Sequence, residues 1–323
     1  MKAIVCTQYG PPDVLKFTEA AKPIPNDDEV LIKIHGASVN PIDQIFRGRP
    51  YFTRILTGLR KPKDKRIGSD VAGKVEAVGR NVTRFKPGDE VFGVCRGALA
   101  QYGCAIEDKL ALKPANLSFA EAAAVPVAAI TALQGLRDKG RIQPGQKVLV
   151  NGASGGVGTF AVQIAKSFGA EVTAVCSPRN VDTARSLGAD HVIDYTREDF
   201  TQSGQRYDLI LAVNGYHSIF DYRRALSNGG IYVMAGGSGI QLLQGILLGP
   251  LVSRIGSRKM RFFVAKINNK DLVLLKGLLE TAKVVPIIDS RYPLSDVAGA
   301  LRYLKEGHAQ GKIVITVEHS NHA

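Results

Sequence analysis

Residues 147–166, Lys-Val-Leu-Val-Asn-Gly-Ala-Ser-Gly-Gly-Val-Gly-Thr-Phe-Ala-Val-Gln-Ile-Ala-Lys, constrain this chain more than any other stretch. Val148–Val150 is a short apolar run of the kind that forms a buried parallel strand. Gly152–Gly158 is a glycine-rich turn. From Thr159 the spacing is helical, with Ala161, Ile164, Ala165 and Phe168 on one face. Val172–Cys176 reads as the next strand, so the unit is strand, helix and strand, with the length a parallel crossover needs. Glycines let a backbone approach a pyrophosphate closely, and a helix start points free N–H groups at it. Against the pattern G-x-G-x-x-G the turn reads Ala153-x-Gly155-x-x-Gly158, with alanine in the first glycine's place. Ser154, Gly155, Gly156, Val157 and Gly158 are therefore the candidate phosphate cradle.

The end of the second strand speaks to which dinucleotide binds. A site that prefers NAD usually carries Asp or Glu there, holding the ribose hydroxyls. Here Ser177, Pro178 and Arg179 follow the strand, and none is acidic. A carboxylate repels a 2′-phosphate, whereas a hydroxyl and a guanidinium bind it through charge-assisted hydrogen bonds worth about 1.5–3 kcal/mol each. The expected cofactor is NADPH rather than NADH. A plain solvated loop charge is the other account of Arg179.

Further strand-like runs follow at His191–Tyr195, Leu209–Val213, Ile231–Ala235 and Arg261–Ala265, with helical patterns between. Six strands so connected describe an α/β, doubly wound parallel sheet. Ligands of such sheets sit at the carboxyl ends of the strands, which puts Tyr195, Asn214 and Gly236 near the cofactor.

The first 118 residues have a different texture. Val30–Gly36 and Val71–Gly79 are strand-like and end in glycine, Lys86-Pro-Gly-Asp89 is a turn feeding another strand, and polar loops separate the pieces. Ser118 and Glu121 have capping-box spacing and start an apolar helical stretch that runs towards Leu136. Beyond the sheet, residues 270–283 form an amphipathic helix with Leu272, Leu275, Leu279 and Ala282 on one stripe. A helix from Pro293 and a strand at Gly311–Val317 close the chain.

No run of the 323 residues is long and apolar enough to span a membrane, and the start lacks a signal peptide's apolar region. Cys6, Cys95, Cys104 and Cys176 are scattered, as reduced thiols of a cytoplasmic-type compartment would be. The net charge of +13 is concentrated in 47–66 and 254–270, which carry +7 and +6. These are two solvated basic loops or a surface for an anionic partner. Residues 240–263 are apolar and then basic. They read as a cleft wall, a dimer contact, or a segment making weak contact with anionic membrane.

Several motifs in order and at fixed spacing, Ala37-Ser-Val-Asn40-Pro-Ile-Asp43, Gly68-Ser-Asp70-Val-Ala-Gly73, Lys86-Pro-Gly-Asp89, Ala124-Val-Pro126, Thr131-Ala-Leu, the glycine turn and Gly307-His-Ala-Gln-Gly-Lys312, carry a resemblance over essentially the whole length. The chain resembles zinc-independent medium-chain dehydrogenase/reductases of the NADPH-dependent quinone or enone oxidoreductase group, including the chloroplast-envelope type. The resemblance implies a Rossmann domain inserted in a GroES-like β-rich domain with the active cleft between them. The expected divisions are residues 1–118, 119–268 and 269–323, the last returning to the first domain. Zinc alcohol dehydrogenases carry Cys-His near Asn40-Pro41 and Gly-His-Glu near Gly68-Ser-Asp70, so Asn40 and Ser69 stand where zinc ligands are expected. His35, His191, His217 and His308 are far apart in sequence, and His319 and His322 lie in the tail.

What the resemblance implies is hydride transfer from NADPH to a small quinone or α,β-unsaturated carbonyl, without a metal. Asn40 is expected to hold the substrate oxygen or the nicotinamide, since its amide donates to a developing enolate without ionising. A turn-forming Asn before Pro41 is the competing account. Asp43 would orient the same loop, as a catalytic neighbour or an Asx turn. Thr131 would contact the nicotinamide or bond its own helix backbone, Tyr195 would lie beside the 2′-phosphate or pack on the sheet as a strand-end aromatic, and Lys312 would reach the cofactor from the returning tail or remain a surface lysine. Tyr51 is the candidate proton donor, with Tyr102 or water as alternatives. A homodimer is expected by resemblance. The contrasting reading is an NADPH-binding protein with a mainly membrane- or RNA-associated role, though no nucleic-acid motif or aromatic interleaving is present.

Overall fold

A two-stranded antiparallel ladder opens the chain. The computed structural model describes residues 1–45, 61–214, 217–236 and 256–319. The chain divides into two units, one of Met1–Val127, Ile267–Glu280 and Pro286–Ala323, the other of Ala128–Lys266 and Thr281–Val285.

In the first unit β1 (Lys2–Cys6) pairs with β2 (Leu15–Glu19). The main sheet begins with β3 (Glu29–Ser38), β4 (Asp70–Val78), β5 (Glu90–Val94), β6 (Tyr102–Ile106) and β7 (Leu110–Leu112). β3 pairs antiparallel with both β4 and β6. β3 does not end in a glycine turn at Gly36, as its sequence suggested. It runs on to Ser38, and Gly36 is small for another reason: a Cβ there would lie 2.7 Å from the Phe119 carbonyl oxygen. Short helix α1 (Pro41–Ile45) follows β3, and α2 (Phe119–Ala123) lies over Gly36.

The apolar stretch from Ser118 towards Leu136 is not one helix. Ser118 and Glu121 close both halves of the expected capping box on α2, which stops at Ala123. A second helix, α3 (Pro126–Gln134), starts afresh at the proline. Pro126 lacks an N–H and biases Val125 away from helical angles, so the break falls there.

In the second unit β8 (Lys147–Asn151), β9 (Glu171–Cys176), β10 (His191–Asp194), β11 (Tyr207–Ala212), β12 (Leu226–Met234) and β13 (Lys259–Phe262) form a parallel sheet in the order β10-β9-β8-β11-β12-β13. Order reverses between β8 and β11, the switch point at which such sheets bind dinucleotides. β8, β9 and β11 are buried along almost their whole length, which is why they read as continuous apolar runs. α4 (Gly156–Ser167), α5 (Val181–Ser186) and α6 (Ile219–Ala225) connect the strands. α4 begins three residues before the expected Thr159, inside the glycine run, and is buried all round from Gly158 to Ala165.

The last part of the first unit holds α7 (Asn269–Glu280), β14 (Ile288–Pro293), α8 (Val297–Glu306) and β15 (Lys312–Thr316). Leu272, Leu275 and Leu279 are buried as the stripe requires. Ala282 is not on it: α7 has ended, and Ala282 is exposed with φ 52°. β15 pairs antiparallel with β3 and parallel with β14, so it joins the sheet that β3 began.

Candidate active site

Three strand ends of the first unit meet in a buried polar cluster. β3 ends at Ser38, its register partner Asp70 opens β4, and Lys312 opens β15 beside them. The Val39 N–H donates to the Ile313 carbonyl at 3.1 Å, which fixes the level at which β15 joins. Ser38, Asn40, Asp43, Asp70 and Lys312 are all buried, at 0, 4, 2, 0 and 4% exposure. A buried charge persists only where it is paired and hydrogen-bonded, and here every requirement is met. The Asp70 Oδ2 accepts from the Ser38 hydroxyl at 2.6 Å, the Asn40 Nδ2 at 2.9 Å and the Lys312 Nζ at 3.2 Å. Its Oδ1 accepts from the Val127 N–H at 2.9 Å, in the first turn of α3, where the helix dipole favours an anion. Lys312 Nζ also donates to the Asn40 Oδ1 at 2.7 Å and lies 3.5 Å from the Val39 carbonyl. The surface-lysine account of Lys312 is therefore wrong: its ammonium sits in the interior on a carboxylate and an amide.

Asp43 has a local task. Its Oδ2 accepts from the Asn40 backbone N–H at 2.7 Å, and its own N–H donates to the Asn40 carbonyl at 3.0 Å. Both bonds hold the turn into α1 and so set the Asn40 backbone. Tyr51 lies outside the described residues, as do 47–60 of the first basic stretch and 240–255 of the apolar-basic segment. Tyr102 lies elsewhere in the first unit's sheet, its ring under Lys22 Nζ at 4.1 Å and edge-on to His319.

In the second unit the glycine turn is built by close approaches. Gly152 has φ +86°, and a Cβ there would meet the Asn214 N at 2.8 Å. At Gly158 a Cβ would fall 2.1 Å from the Gly152 carbonyl oxygen, so α4 can pack on the turn only with glycine at this place. Over Gly155, by contrast, the nearest atom to a Cβ is 4.0 Å away, which leaves the backbone open to a ligand. The Gly152 and Ala153 N–H groups donate to the Val175 carbonyl at 3.2 and 3.0 Å, tying the turn to β9. Ala153 is buried, and the alanine in the first glycine's place fits without disturbing these bonds.

The same bonding gathers the strand ends. Val213 and Asn214 donate to the Asn151 carbonyl at 2.9 and 3.2 Å, and a Cβ at Gly236 would lie 2.3 Å from the Val213 carbonyl. The turn, Asn214 and Gly236 thus form one group. A second lies beyond β9: the Tyr195 N–H donates to the Cys176 carbonyl at 3.2 Å, next to Ser177, and Arg179 is exposed. Tyr195 is 61% exposed at the end of β10 rather than packed on the sheet. Thr131 is half-buried on α3.

Sequence reasoning missed three supports. Asn151 ends β8 and donates to the Tyr222 hydroxyl at 2.7 Å; burial pushes that phenol up to about 12. Asn180, also buried, donates to the Ser177 Oγ at 2.9 Å, which leaves the Ser177 hydroxyl its own proton to donate. Asp70 is the third, and its partners Ser38, Asn40, Val127 and Lys312 all lie far from it in sequence. A polar residue that closes an apolar strand is the signal that Asn151 offered.

The alcohol dehydrogenase GroES-like domain model matches residues 26–161, and the zinc-binding dehydrogenase model matches 187–315. A zinc site needs three or four N, S or O ligands close together. The residues at the expected place do not fit one, since Asn40 and Ser69 are poor ligands and the Asp70 Oδ2 is engaged by an ammonium. Among the described residues no group of three His, Cys, Asp or Glu is placed to hold a metal. His319 does return from the tail to lie 5.1 Å, centroid to centroid, from His35, nearer than sequence spacing suggested.

The chain is 40% identical over 335 residues to the 2-methylene-furan-3-one reductase of Solanum lycopersicum, covering 98% of this chain and 79% of that protein. It is 35% identical over 330 residues to the chloroplastic NADPH-dependent alkenal/one oxidoreductase of Arabidopsis thaliana, with the same coverage. Its fold matches the quinone oxidoreductase of Coxiella burnetii with a TM-score of 0.86 at 31% identity, over 98% and 99% of the two chains. By fold, by motif and by these relatives, the chain belongs to the medium-chain dehydrogenase/reductase family, in its quinone oxidoreductase group.

Proposed function

We propose that this protein is an NADPH-dependent oxidoreductase that reduces a quinone or an α,β-unsaturated carbonyl without a metal. The observation that carries the reading is the cradle at the switch point of the parallel sheet, with Gly155 open to a ligand and no acid after β9. The three relatives support the substrate class, since a furanone, an alkenal or enone, and a quinone are all conjugated carbonyls. Such acceptors take hydride without a Lewis acid because the charge delocalises onto oxygen.

The residues fit NADPH. Ser154–Gly158 would hold the pyrophosphate on the first N–H groups of α4, which have no partner within the helix. Ser177 and Arg179 would hold the 2′-phosphate with Tyr195 beside them, while Asn214, Gly236 and Thr131 would line the remainder. When bound, the cofactor supplies the hydride. Asn40 would hold the acceptor's carbonyl oxygen and donate to it as negative charge develops, a contribution worth about 10²–10³ in rate where such a donor is removed. Asp43 would keep the Asn40 backbone in place, and Tyr51 remains the proposed proton donor.

Relatives of this kind give no support to a mainly membrane- or RNA-associated role. No helix among the described residues is long and apolar enough to cross a membrane. We place the enzyme in the cytoplasm on its four free thiols, and propose a homodimer through the edge strand β13, where Phe262 and, just past the strand, Val264 are exposed.

The test is steady-state oxidation of NADPH and NADH with one enone and one quinone. Wild type is expected to prefer NADPH, and Arg179→Ala to lose at least ten-fold of that preference. Asn40→Ala is expected to lower kcat about 10²-fold. An Arg179→Ala enzyme with unchanged preference would overturn the 2′-phosphate assignment, and an Asn40→Ala enzyme at full rate would overturn the role of Asn40.

A further inference from the structure

The cluster at the ends of β3, β4 and β15 holds a full ion pair that the proposed chemistry does not itself use. A buried carboxylate and a buried ammonium are costly to desolvate, and well-packed apolar residues of similar size would often serve stability as well. What the pair does is visible in the group between its members. The Asn40 amide has an acceptor end and a donor end, and its two partners are of opposite kinds. Lys312 can only donate and stands 2.7 Å from Oδ1. Asp70, as a carboxylate, can only accept and stands 2.9 Å from Nδ2. Turning the amide over would set its NH₂ against the ammonium and its oxygen against the carboxylate, making both contacts repulsive.

One orientation is therefore locked, in a residue that is 4% exposed and surrounded by low dielectric. Asn40 Nδ2 carries two N–H groups, and Asp70 takes one. Among the described residues no second acceptor faces the other N–H, which is the one assigned here to a ligand. The remaining donors to Asp70, from Ser38 and Val127, hold the carboxylate itself in place, so the lock is anchored to β3 and to the first turn of α3.

We propose that Asp70 and Lys312 are positioning residues for the reduction: they fix the Asn40 amide with an N–H, and never its oxygen, turned to the acceptor's carbonyl. Lys312 on this account acts through Asn40 and not through the cofactor. The proposal rests on the role of Asn40 given above.

A double-mutant cycle tests it, with kcat and KM for the enone measured alongside the NADPH Kd from cofactor fluorescence. Lys312→Met is expected to lower kcat on the order of ten-fold or more, the scale of a misplaced reacting group, with the NADPH Kd unchanged. Lys312→Arg restores a donor and is expected to recover part of the loss. In an Asn40→Ala background Lys312→Met is expected to cost nothing further, because the group it positions is gone. The charge-neutral pair Asp70→Asn/Lys312→Met leaves no lone buried ion, so it keeps the test open if Lys312→Met does not fold. It is expected to fold and to show the same loss.

An equal loss from Lys312→Met in both backgrounds would overturn the proposal, as would a folded charge-neutral pair at full rate or a weakened NADPH Kd. Full activity of Asn40→Ala alone would instead remove the role of Asn40, and this proposal with it.

Discussion

Lys312 shows what a single residue conceals in sequence. A lysine after a glycine at the start of a strand reads as solvated, because lysines seldom go inside unless paired. Its partners Asp70 and Asn40 lie 242 and 272 positions away, so nothing local announces them. Gly158 is the opposite case, since the fingerprint names it and the structure gives the reason. Its missing Cβ leaves room for the Gly152 carbonyl oxygen. Gly158→Ala is expected to shift α4 from the turn, weaken NADPH binding at least ten-fold and lower stability by about 1–3 kcal/mol, the usual cost of overpacking. Cofactor titration and thermal melts read both effects, and unchanged binding would mean that the turn tolerates a Cβ.

Helices in this chain are legible where their ends are written in side chains. Ser118–Glu121 was readable as a capping box, and Ser218–Asp221 on α6 closes a second one in the same geometry. Hydrogen bonding from the serine side chain holds both acids below their ordinary values. A carboxylate depressed in the folded state stabilises it above the unfolded pKa and loses that effect as pH falls through the folded pKa. Both caps are thus expected to weaken on the acid side, below about pH 4, where unfolded Asp and Glu titrate. Ser118→Ala is expected to cost about 1 kcal/mol at neutral pH. Its difference from wild type should shrink towards pH 3, as denaturant melts at both pH values would show.

Burial from two sides hid other boundaries. Gly36 reads as a turn, yet it lies inside β3 because α2 comes within contact of the strand. Gly36→Ala is expected to lift α2 from the sheet and destabilise by about 1–3 kcal/mol. Equal stability to wild type would show that α2 gives way without cost.

At the scale of the whole molecule, the parallel sheet was readable because strands buried on both faces form apolar runs at regular intervals. The antiparallel sheet was only partly so. β6, β7 and β14 are short or half-exposed, and β6 takes its register from β3, which is distant in sequence. The glycine turn proposed as the cofactor cradle was legible for a related reason. Its residues are contiguous, whereas the Asn40 cluster draws on three strand ends from both extremes of the chain.

The proposed reaction is direct hydride transfer from NADPH to a conjugated acceptor. The most direct measurement uses chelator-treated protein, NADPH deuterated on one face of C4, and an enone whose product is analysed by mass spectrometry. Deuterium from one of the two C4 positions is expected at the β-carbon of the reduced product, at an undiminished rate after metal removal. Product without deuterium from either C4-labelled form, or turnover that is lost on chelation and regained with a divalent metal, would contradict it.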